Sequence, residues 1–233
     1  MKRPGEMVVG SGEPLVLVHG LAGSWRWWSP VLERLARTRR VHAINLPRLR
    51  RATPATELFE WLERRLEAAQ LDRVDLAGHS LGGLVAAELA ALRPERVGRL
   101  VLVAPAGIPC GRSVPGRSLP LVETLYDLRR SLRLVVSDSL RAGPFGLARG
   151  IAYVSVRDLR AELPQVRAPT LLVWGERDRL VPLRDADVFE ELIPDARKIV
   201  YADTGHVSML ERPARFNRDV EAFLKGSDPV AGG

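Results

Sequence analysis

Short apolar runs alternate with amphipathic stretches along most of this chain, and that alternation limits the possible folds more than any other feature of the sequence. The runs lack polar alternation, which is typical of strands buried on both faces of a parallel sheet. Strands separated by helices imply right-handed crossovers. The pattern therefore predicts an α/β fold with a doubly wound, mostly parallel sheet. The six runs are Leu15–His19, Val41–Asn45, Val74–Ala77, Leu100–Ala104, Thr170–Trp174 and Ile199–Ala202.

Two pairs, each a serine or threonine followed by a proline, mark predicted helix starts between these runs. Ser29-Pro30 and Thr53-Pro54 each combine an N-cap hydroxyl with a proline at the first helical position. Apolar residues recur at helical spacing after both pairs. We therefore expect a crossover helix to begin at each pair.

One long stretch, from Ile108 to Val166, contains no run of the buried-strand type and is predicted to form a small helical cap. Apolar residues share one helical face in its first half, Gly143-Pro144 interrupts the pattern, and a weaker helical stretch is predicted at Asp158–Leu163. An ordinary long crossover is the alternative, but insertions of this length in compact domains are usually functional, which favours the cap. The residues of that first helical face are Leu121, Leu125, Leu128, Leu132 and Val135.

These boundaries divide the chain into one core domain with one insertion. The core is expected at residues 1–107 and 167–226, and the cap at residues 108–166. Residues 227–233 are predicted to be a disordered tail, because this end of the chain is of low complexity and chain ends are commonly poorly ordered.

The basic charge of the chain does not follow the pattern of a nucleic-acid-binding surface. The net charge of +7 comes from 35 Lys and Arg against 28 Asp and Glu, and the basic residues are scattered along the whole sequence. A nucleic-acid-binding protein gathers them on one face or helix, usually beside stacking aromatic residues. We therefore interpret the arginines as a solvated surface and expect no nucleic-acid partner.

The low cysteine and histidine content excludes other kinds of site. Cys110 is the single cysteine, so neither an intramolecular disulfide nor a cysteine-based zinc site is expected, and four histidines argue against a His-rich metal cluster. No apolar run reaches the roughly 18 residues of a membrane span, and no apolar leader follows the charged start. We expect a cytoplasmic protein without metal or stable membrane anchoring, and make no prediction of its oligomeric state.

Gly78-His79-Ser80-Leu81-Gly82 matches the G-x-S-x-G pattern of a nucleophile elbow. It follows the run Val74–Ala77 and precedes a predicted helix, Leu81–Leu92. A sharp turn from strand to helix exposes the serine hydroxyl above the sheet, and glycines on both sides let strand and helix approach closely. Ser80 is therefore the candidate nucleophile. The backbone N–H of Leu81, at the helix N-terminus, is a candidate oxyanion donor.

A serine hydroxyl needs a base, and the chain has four histidines. His42 lies inside an apolar run and is interpreted as structural, whereas His79 beside the nucleophile is expected to pack locally. His19 ends the first run. His206 lies in a loop after the last run, and the chain order serine, acid, histidine favours it as the base.

The acid is expected after a strand that lies between the serine and the histidine in sequence. Asp178 follows the run Thr170–Trp174 closely, and Glu176 and Asp203 are its rivals. Asp203 is so near His206 in sequence that a shared catalytic geometry would strain the loop. Asp178 is therefore predicted to accept the second ring proton of His206, which fixes the tautomer and stabilises the imidazolium.

The segment His19-Gly20-Leu21-Ala22-Gly23-Ser24 leaves the first run and supplies the other side of the predicted site. The Leu21 amide is the candidate second oxyanion donor, and His19 is expected to brace this loop by hydrogen bonding. Trp25 follows and is placed in the pocket or, alternatively, in the packing of the next helix. The candidate substrate contacts are His19, Gly20, Trp25 and His79.

With these motifs in this order, the sequence resembles the α/β-hydrolase fold enzymes over most of its length. The resemblance implies a Ser80, Asp178 and His206 triad, a helical cap between Ile108 and Val166, and no cofactor. Its residues are His19-Gly20 with Gly23, Gly78-His79-Ser80-Leu81-Gly82-Gly83, Trp174-Gly175-Glu176-Arg177-Asp178 with Val181-Pro182, and Gly205-His206 with Glu211, Pro213, Phe216 and Phe223.

The sequence departs from that family's pattern in two places. Asn45-Leu46-Pro47-Arg48-Leu49-Arg50 stands where relatives typically carry Asp-Leu-Pro-Gly-x-Gly, which changes the expected wall of the pocket. Ser208 stands where a proline often follows the histidine. Neither position belongs to the predicted triad.

Together these features predict a serine hydrolase that cleaves a small-molecule carboxylic ester through an acyl-enzyme on Ser80. Different chemistry on the same triad is the first alternative: C–C bond hydrolysis, perhydrolysis or a cofactor-free lyase reaction. A non-catalytic binding module is the second, and it is disfavoured because both predicted oxyanion loops are intact.

Overall fold

The computed structural model describes residues 5–47, 57–109 and 132–227. Its centre is a seven-stranded sheet with the strand order β1-β3-β2-β4-β5-β6-β7. Strand β1 pairs antiparallel with β3, and every other pairing is parallel. The strands are β1 (Glu6–Val9), β2 (Glu13–Val18), β3 (Arg39–Ile44), β4 (Val74–His79), β5 (Val97–Val103), β6 (Thr170–Gly175) and β7 (Ala196–Tyr201).

The described part of the chain contains seven helices, and an apolar layer lies on each face of the sheet. Leucines of α2, α3 and an aromatic residue of α5 join one apolar layer, while α1 and α7 join the layer on the opposite face. The predicted doubly wound α/β architecture is therefore confirmed. The helices are α1 (Ser29–Leu35), α2 (Glu57–Ala68), α3 (Leu81–Leu92), α4 (Leu132–Val156), α5 (Leu183–Leu192), α6 (Ser208–Glu211) and α7 (Pro213–Leu224).

The six predicted apolar runs all fall on strands β2 to β7, and β1 was not predicted. All residues of β4 and β6 are buried, which explains why their sequences show no polar alternation. In β1, by contrast, burial varies along four residues at the sheet edge. Its Glu6 carboxylate accepts hydrogen bonds from His42 Nδ1 at 3.0 Å and Arg65 Nη2 at 2.6 Å, so contacts distant in sequence hold this strand.

The predicted helix starts differ from the structure in detail. Helix α1 begins at Ser29 directly after a 3-10 turn, Trp25–Trp28. The Ser29 hydroxyl donates to the Arg26 carbonyl at 2.7 Å instead of capping the helix. The Thr53-Pro54 pair lies outside the described residues, and α2 is described from Glu57.

The described part of the predicted cap is mainly helix α4. Gly143 has φ +71° and kinks this helix where the Gly143-Pro144 interruption was predicted. The helix predicted at Asp158–Leu163 is wrong, because a turn and a short 3-10 segment, Leu163–Gln165, occupy that region. Leu121, Leu125 and Leu128 lie outside the described residues, as does the tail from residue 228 onwards.

Candidate active site

Ser80 lies on a strained turn between β4 and α3. Its backbone has φ +52° and ψ −116°, in a region that residues with a Cβ rarely adopt. The strain is held by main-chain hydrogen bonds, because Ser80 N–H donates to Val103 O at 2.9 Å and Ser80 O accepts from Ala106 N–H at 3.1 Å. The turn presents the half-buried Ser80 side chain at the carboxyl end of the sheet.

The glycines of this turn are required by close approach of the backbone. A Cβ on Gly78 would collide with the carbonyl of Gly82, and one on Gly82 would collide with the carbonyl of Val18. A Cβ on Gly83 would lie 2.8 Å from Pro105 Cβ. The glycines of the elbow are therefore needed because β4, α3 and the end of β2 pack too closely for a side chain at these positions.

Asp178 and His206 are brought together by the loops that follow β6 and β7. His206 Nδ1 donates to Asp178 Oδ2 at 2.7 Å, and both side chains are buried. The other oxygen, Asp178 Oδ1, accepts the backbone N–H groups of Leu180 and Val181, each at 2.9 Å. This arrangement fixes the carboxylate and leaves Nε2 of His206 to act as a proton acceptor.

The two rival carboxylates are engaged elsewhere. Asp203 is exposed and forms an ion pair with Arg177 on the surface. Glu176 accepts the backbone N–H of Asp203 at 3.2 Å. Of the three candidates, the structure brings only Asp178 into hydrogen-bond contact with His206.

His79, which precedes Ser80 in sequence, lies against the His206 ring, and Gly20 lies against Ser80. The His79 ring lies 4.7 Å from the His206 ring, centroid to centroid, and a Cβ on Gly20 would lie 3.0 Å from Ser80 Cβ. Within the described residues, no hydrogen bond joins the Ser80 hydroxyl to His206. Catalytic hydrogen bonds often tighten only when substrate binds.

His79 contacts the histidine loop and does not line the cavity beside the elbow. Its Nε2–H donates to the main-chain carbonyl of His206 at 3.0 Å. Burial, and then the nearby charge of His206, hold the pKa of His79 well below its ordinary value, so the ring is neutral. The structure thus gives this predicted substrate contact a packing and hydrogen-bonding role.

The loop from His19 to Ser24 is braced by His19, as the sequence predicted. His19 Nδ1 donates to the Gly20 carbonyl at 2.7 Å, and Nε2 accepts the Leu46 N–H at 3.0 Å. Both ring nitrogens are therefore engaged by main chain. The turn closes through Gly23 N–H on Gly20 O at 3.1 Å, with Ala22 at φ +60°.

His19 predicts a loss of stability in mild acid. Burial lowers its pKa from 6.5 to about 4, so between these values only the unfolded chain binds the proton. The neutral His19 ring therefore costs no stability above pH 6.5, whereas the free energy of unfolding falls by about 3 kcal/mol as the pH drops to 4. Urea unfolding of wild type and His19→Asn across this range measures it. His79 contributes to the pH dependence of both proteins. Equal slopes of unfolding free energy against pH in the two proteins would therefore contradict the role of His19.

A cavity of about 150 Å³ adjoins the two candidate oxyanion donors, Leu21 and Leu81. Leu81 is the first residue of α3, so its N–H has no partner within the helix. Ser80, Trp25 and His79 are not among the residues of the cavity wall, and Trp25 N–H instead binds Asn45 Oδ1 at 2.7 Å. The described residues of the wall are His19, Gly20, Leu21, Ala22, Gly23, Asn45, Leu46, Pro47, Leu58, Leu81, Asp138, Arg141, Ala142 and Gly146.

Two charged residues of α4, Asp138 and Arg141, belong to this wall and were not predicted. Arg141 Nη2 lies 3.3 Å from Asp138 Oδ1, so the charges compensate each other. The sequence offered no signal for them, because charged residues on a helix are ordinarily solvated. Within the described ranges, no cluster of three or more potential metal ligands occurs, and no helix is long and apolar enough to cross a membrane.

The sequence of this chain is similar to those of several enzymes. The chain is 33% identical to the pimeloyl-[acyl-carrier protein] methyl ester esterase of Nitrosomonas europaea, over 89% of this chain and 94% of that protein. It is 28% identical to the 2-hydroxymuconate semialdehyde hydrolase of Pseudomonas sp. strain CF600, over 95% and 90%. The dihydrolipoyllysine-residue acetyltransferase component of the acetoin cleaving system of Pseudomonas putida is 32% identical over 92% of this chain, which spans 64% of that protein.

A solved structure shares the fold of this chain, and a family model matches most of its length. The meta-cleavage product hydrolase from Pseudomonas fluorescens IP01 superposes with a TM-score of 0.82 at 22% identity, covering 95% of this chain and 93% of that one, which shows a shared fold. The model of the alpha/beta hydrolase family matches residues 15–219, a span that includes the elbow and both partner loops. This chain belongs to the alpha/beta hydrolase family.

Proposed function

We propose that this hydrolase cleaves a carboxylic ester through an acyl-enzyme on Ser80. The observation that carries the proposal is the buried 2.7 Å hydrogen bond between His206 and Asp178, together with a serine on a strained elbow whose preceding residue, His79, binds the main chain of His206. A base oriented by a carboxylate and adjacent to a serine is the arrangement that activates a hydroxyl. The methyl ester esterase named among the relatives supports an ester as the substrate.

In the proposed mechanism, the Ser80 hydroxyl attacks the ester carbonyl carbon while His206 Nε2 takes its proton. The carbonyl oxygen becomes an oxyanion, which the N–H groups of Leu21 and Leu81 stabilise. The tetrahedral intermediate then expels the alcohol, which receives the proton from His206. Water, deprotonated by His206, attacks the acyl-enzyme and releases the carboxylic acid with regeneration of Ser80.

The cavity wall favours a small, uncharged group on the substrate. Its side chains are mainly apolar, and its one described ion pair, Asp138 with Arg141, leaves no net charge once His19 is neutral. A cavity of about 150 Å³ is comparable to one that accepts benzene. We therefore propose a short-chain or medium-chain ester as the substrate class.

A chain-length series tests this proposal. One series of esters varies the acyl chain and another varies the alcohol, and kcat/KM is measured for each member. In one of the series, activity is expected to be highest at about four to six carbons and to fall at least tenfold beyond about eight, because longer chains exceed the cavity. Constant activity across both series would contradict the assignment of this cavity to the substrate.

C–C bond hydrolysis on the same residues is the second candidate function, because the 2-hydroxymuconate semialdehyde hydrolase is among the relatives. A fluorophosphonate and the ester series together distinguish the two. Labelling of Ser80 with ester turnover supports the esterase. Labelling without turnover of any ester favours the C–C reaction, and a wild-type protein that neither reacts nor turns over is not a serine hydrolase.

A further inference from the structure

Helix α4 of the cap makes a polar junction with the loop that carries the Leu21 amide. Asp138 is 2% exposed, and its Oδ2 accepts the Ser24 hydroxyl at 2.6 Å and the Trp27 indole N–H at 3.1 Å. Arg141, one turn further along α4, donates to the Gly23 carbonyl at 3.0 Å. We call these four side chains and the Gly23 carbonyl the cap junction.

The second half of α4 contacts the same loop at Leu21. A Cβ on Gly150 would collide with Leu21 Cδ1, so the helix backbone packs directly on this side chain. The half of α4 before the Gly143 kink therefore contacts the loop at Ser24, and the half after the kink contacts it at Leu21. The cap helix therefore contacts this loop on both sides of its kink and also contributes residues to the cavity wall.

The shape of this loop needs such external support. Ala22 has φ +60°, a left-handed conformation that is unfavourable for a residue with a Cβ. Ser24 links the loop to the following 3-10 turn, since its hydroxyl oxygen accepts the Arg26 N–H at 3.3 Å while its hydrogen is donated to Asp138. Loss of the Asp138 carboxylate would leave the buried Ser24 and Trp27 donors without their acceptor.

We propose that Asp138 is a positioning residue for the oxyanion donor Leu21, acting through Ser24 and Trp27. The proposal rests on the function given above, because it concerns the geometry of that reaction. An oxyanion exists only in the transition state and the tetrahedral intermediate, so misplacing its donor lowers kcat and leaves substrate binding nearly unchanged. A cap that only binds substrate would instead affect KM, so the two roles are distinguished by kinetics.

Kinetics of Asp138 variants test the proposal. Asp138→Ala is expected to lower kcat about 10- to 100-fold with KM within about twofold, and Asp138→Asn, which keeps one acceptor oxygen, is expected to fall between Ala and wild type. Ser24→Ala should lower kcat in the same sense. Asp158→Asn is the matched control, because Asp158 pairs with Arg160 at an exposed site and should leave both constants unchanged.

Hydrogen exchange gives a readout that is independent of ester turnover. The amides of Gly23 and Trp27 are hydrogen-bonded within the loop and its 3-10 turn, and both should exchange faster in Asp138→Ala. Amides of α5, which packs in the apolar layer on the opposite face of the sheet from Trp27, should be unaffected, which would show that the fold is retained.

A rise in KM at unchanged kcat, or unchanged exchange at Gly23 and Trp27, would overturn the positioning role. The proposed function fails separately, if wild type hydrolyses no ester. Hydrogen exchange still decides in that case whether Asp138 holds the loop.

Discussion

Replacement of Ser80 by alanine is expected to lower kcat for ester hydrolysis on the order of 10⁶-fold, the loss seen when a hydrolase of this mechanism is deprived of its nucleophile. The variant should fold normally. Alanine and serine carry the same steric cost at φ +52°, and the hydrogen bonds that hold the turn are made by the main chain. The remaining activity would come from substrate binding and the two oxyanion donors.

The measurement is single-turnover and steady-state kinetics with the best ester of the chain-length series. Ser137→Ala is the matched control, because Ser137 is an exposed cap serine whose hydroxyl bonds only the Leu134 carbonyl among the described contacts. It should retain wild-type rates. If Ser80→Ala kept more than about a tenth of the wild-type kcat, another group would be the nucleophile and the mechanism would be wrong.

Asp178→Asn is expected to lower kcat about 10⁴-fold at neutral pH. In wild type, one carboxylate oxygen accepts a hydrogen bond from His206 Nδ1–H, and the other accepts hydrogen bonds from two backbone N–H groups. In the variant, the side-chain oxygen keeps the backbone contacts while the NH₂ group faces His206. That group donates, so Nδ1 becomes the acceptor and Nε2 carries the proton, which is the wrong tautomer for a general base.

Asp203→Asn separates this electronic effect from a general loss of acidic charge near His206. Asp203 is three residues from the base in sequence, but it is exposed and paired with Arg177. Exposed pairs contribute little, so the control should stay within about twofold of wild type. A large loss in Asp203→Asn together with a small one in Asp178→Asn would reverse the assignment of the acid.

The central strands and the elbow were predictable because their physical signals are local. A strand buried on both faces must be apolar at every position, and a turn with three glycines around a serine has few other uses. The edge strand β1 has no such signal, because it is only four residues long and its burial varies. It forms because β3 offers a pairing edge and because His42 and Arg65 bind Glu6.

The cap junction was missed for a related reason. A sequence shows that Asp138 and Arg141 are charged and helical, and the default for such residues is a solvated surface. In the structure, that helix face contacts the Ser24 hydroxyl, the Trp27 indole and the Gly23 carbonyl instead of water. The sequence does not show this, because Ser24 lies 114 residues before Asp138 in the chain. Trp25, for which the sequence left open a place in the pocket or in helix packing, is not among the described residues of the cavity wall.

The sequence by itself determined the central strands of the sheet, the elbow with Ser80, and the base and acid candidates, because apolar patterning, turn glycines and chain order are properties of the chain. Only the tertiary structure showed that Asp178, which the sequence favoured over its rivals, forms a hydrogen bond with His206, and that Asp138 binds Ser24. These contacts join residues 28 and 114 positions apart. Their geometry is set by the adjacent parallel strands β6 and β7 and by the seating of α4, which no local pattern encodes.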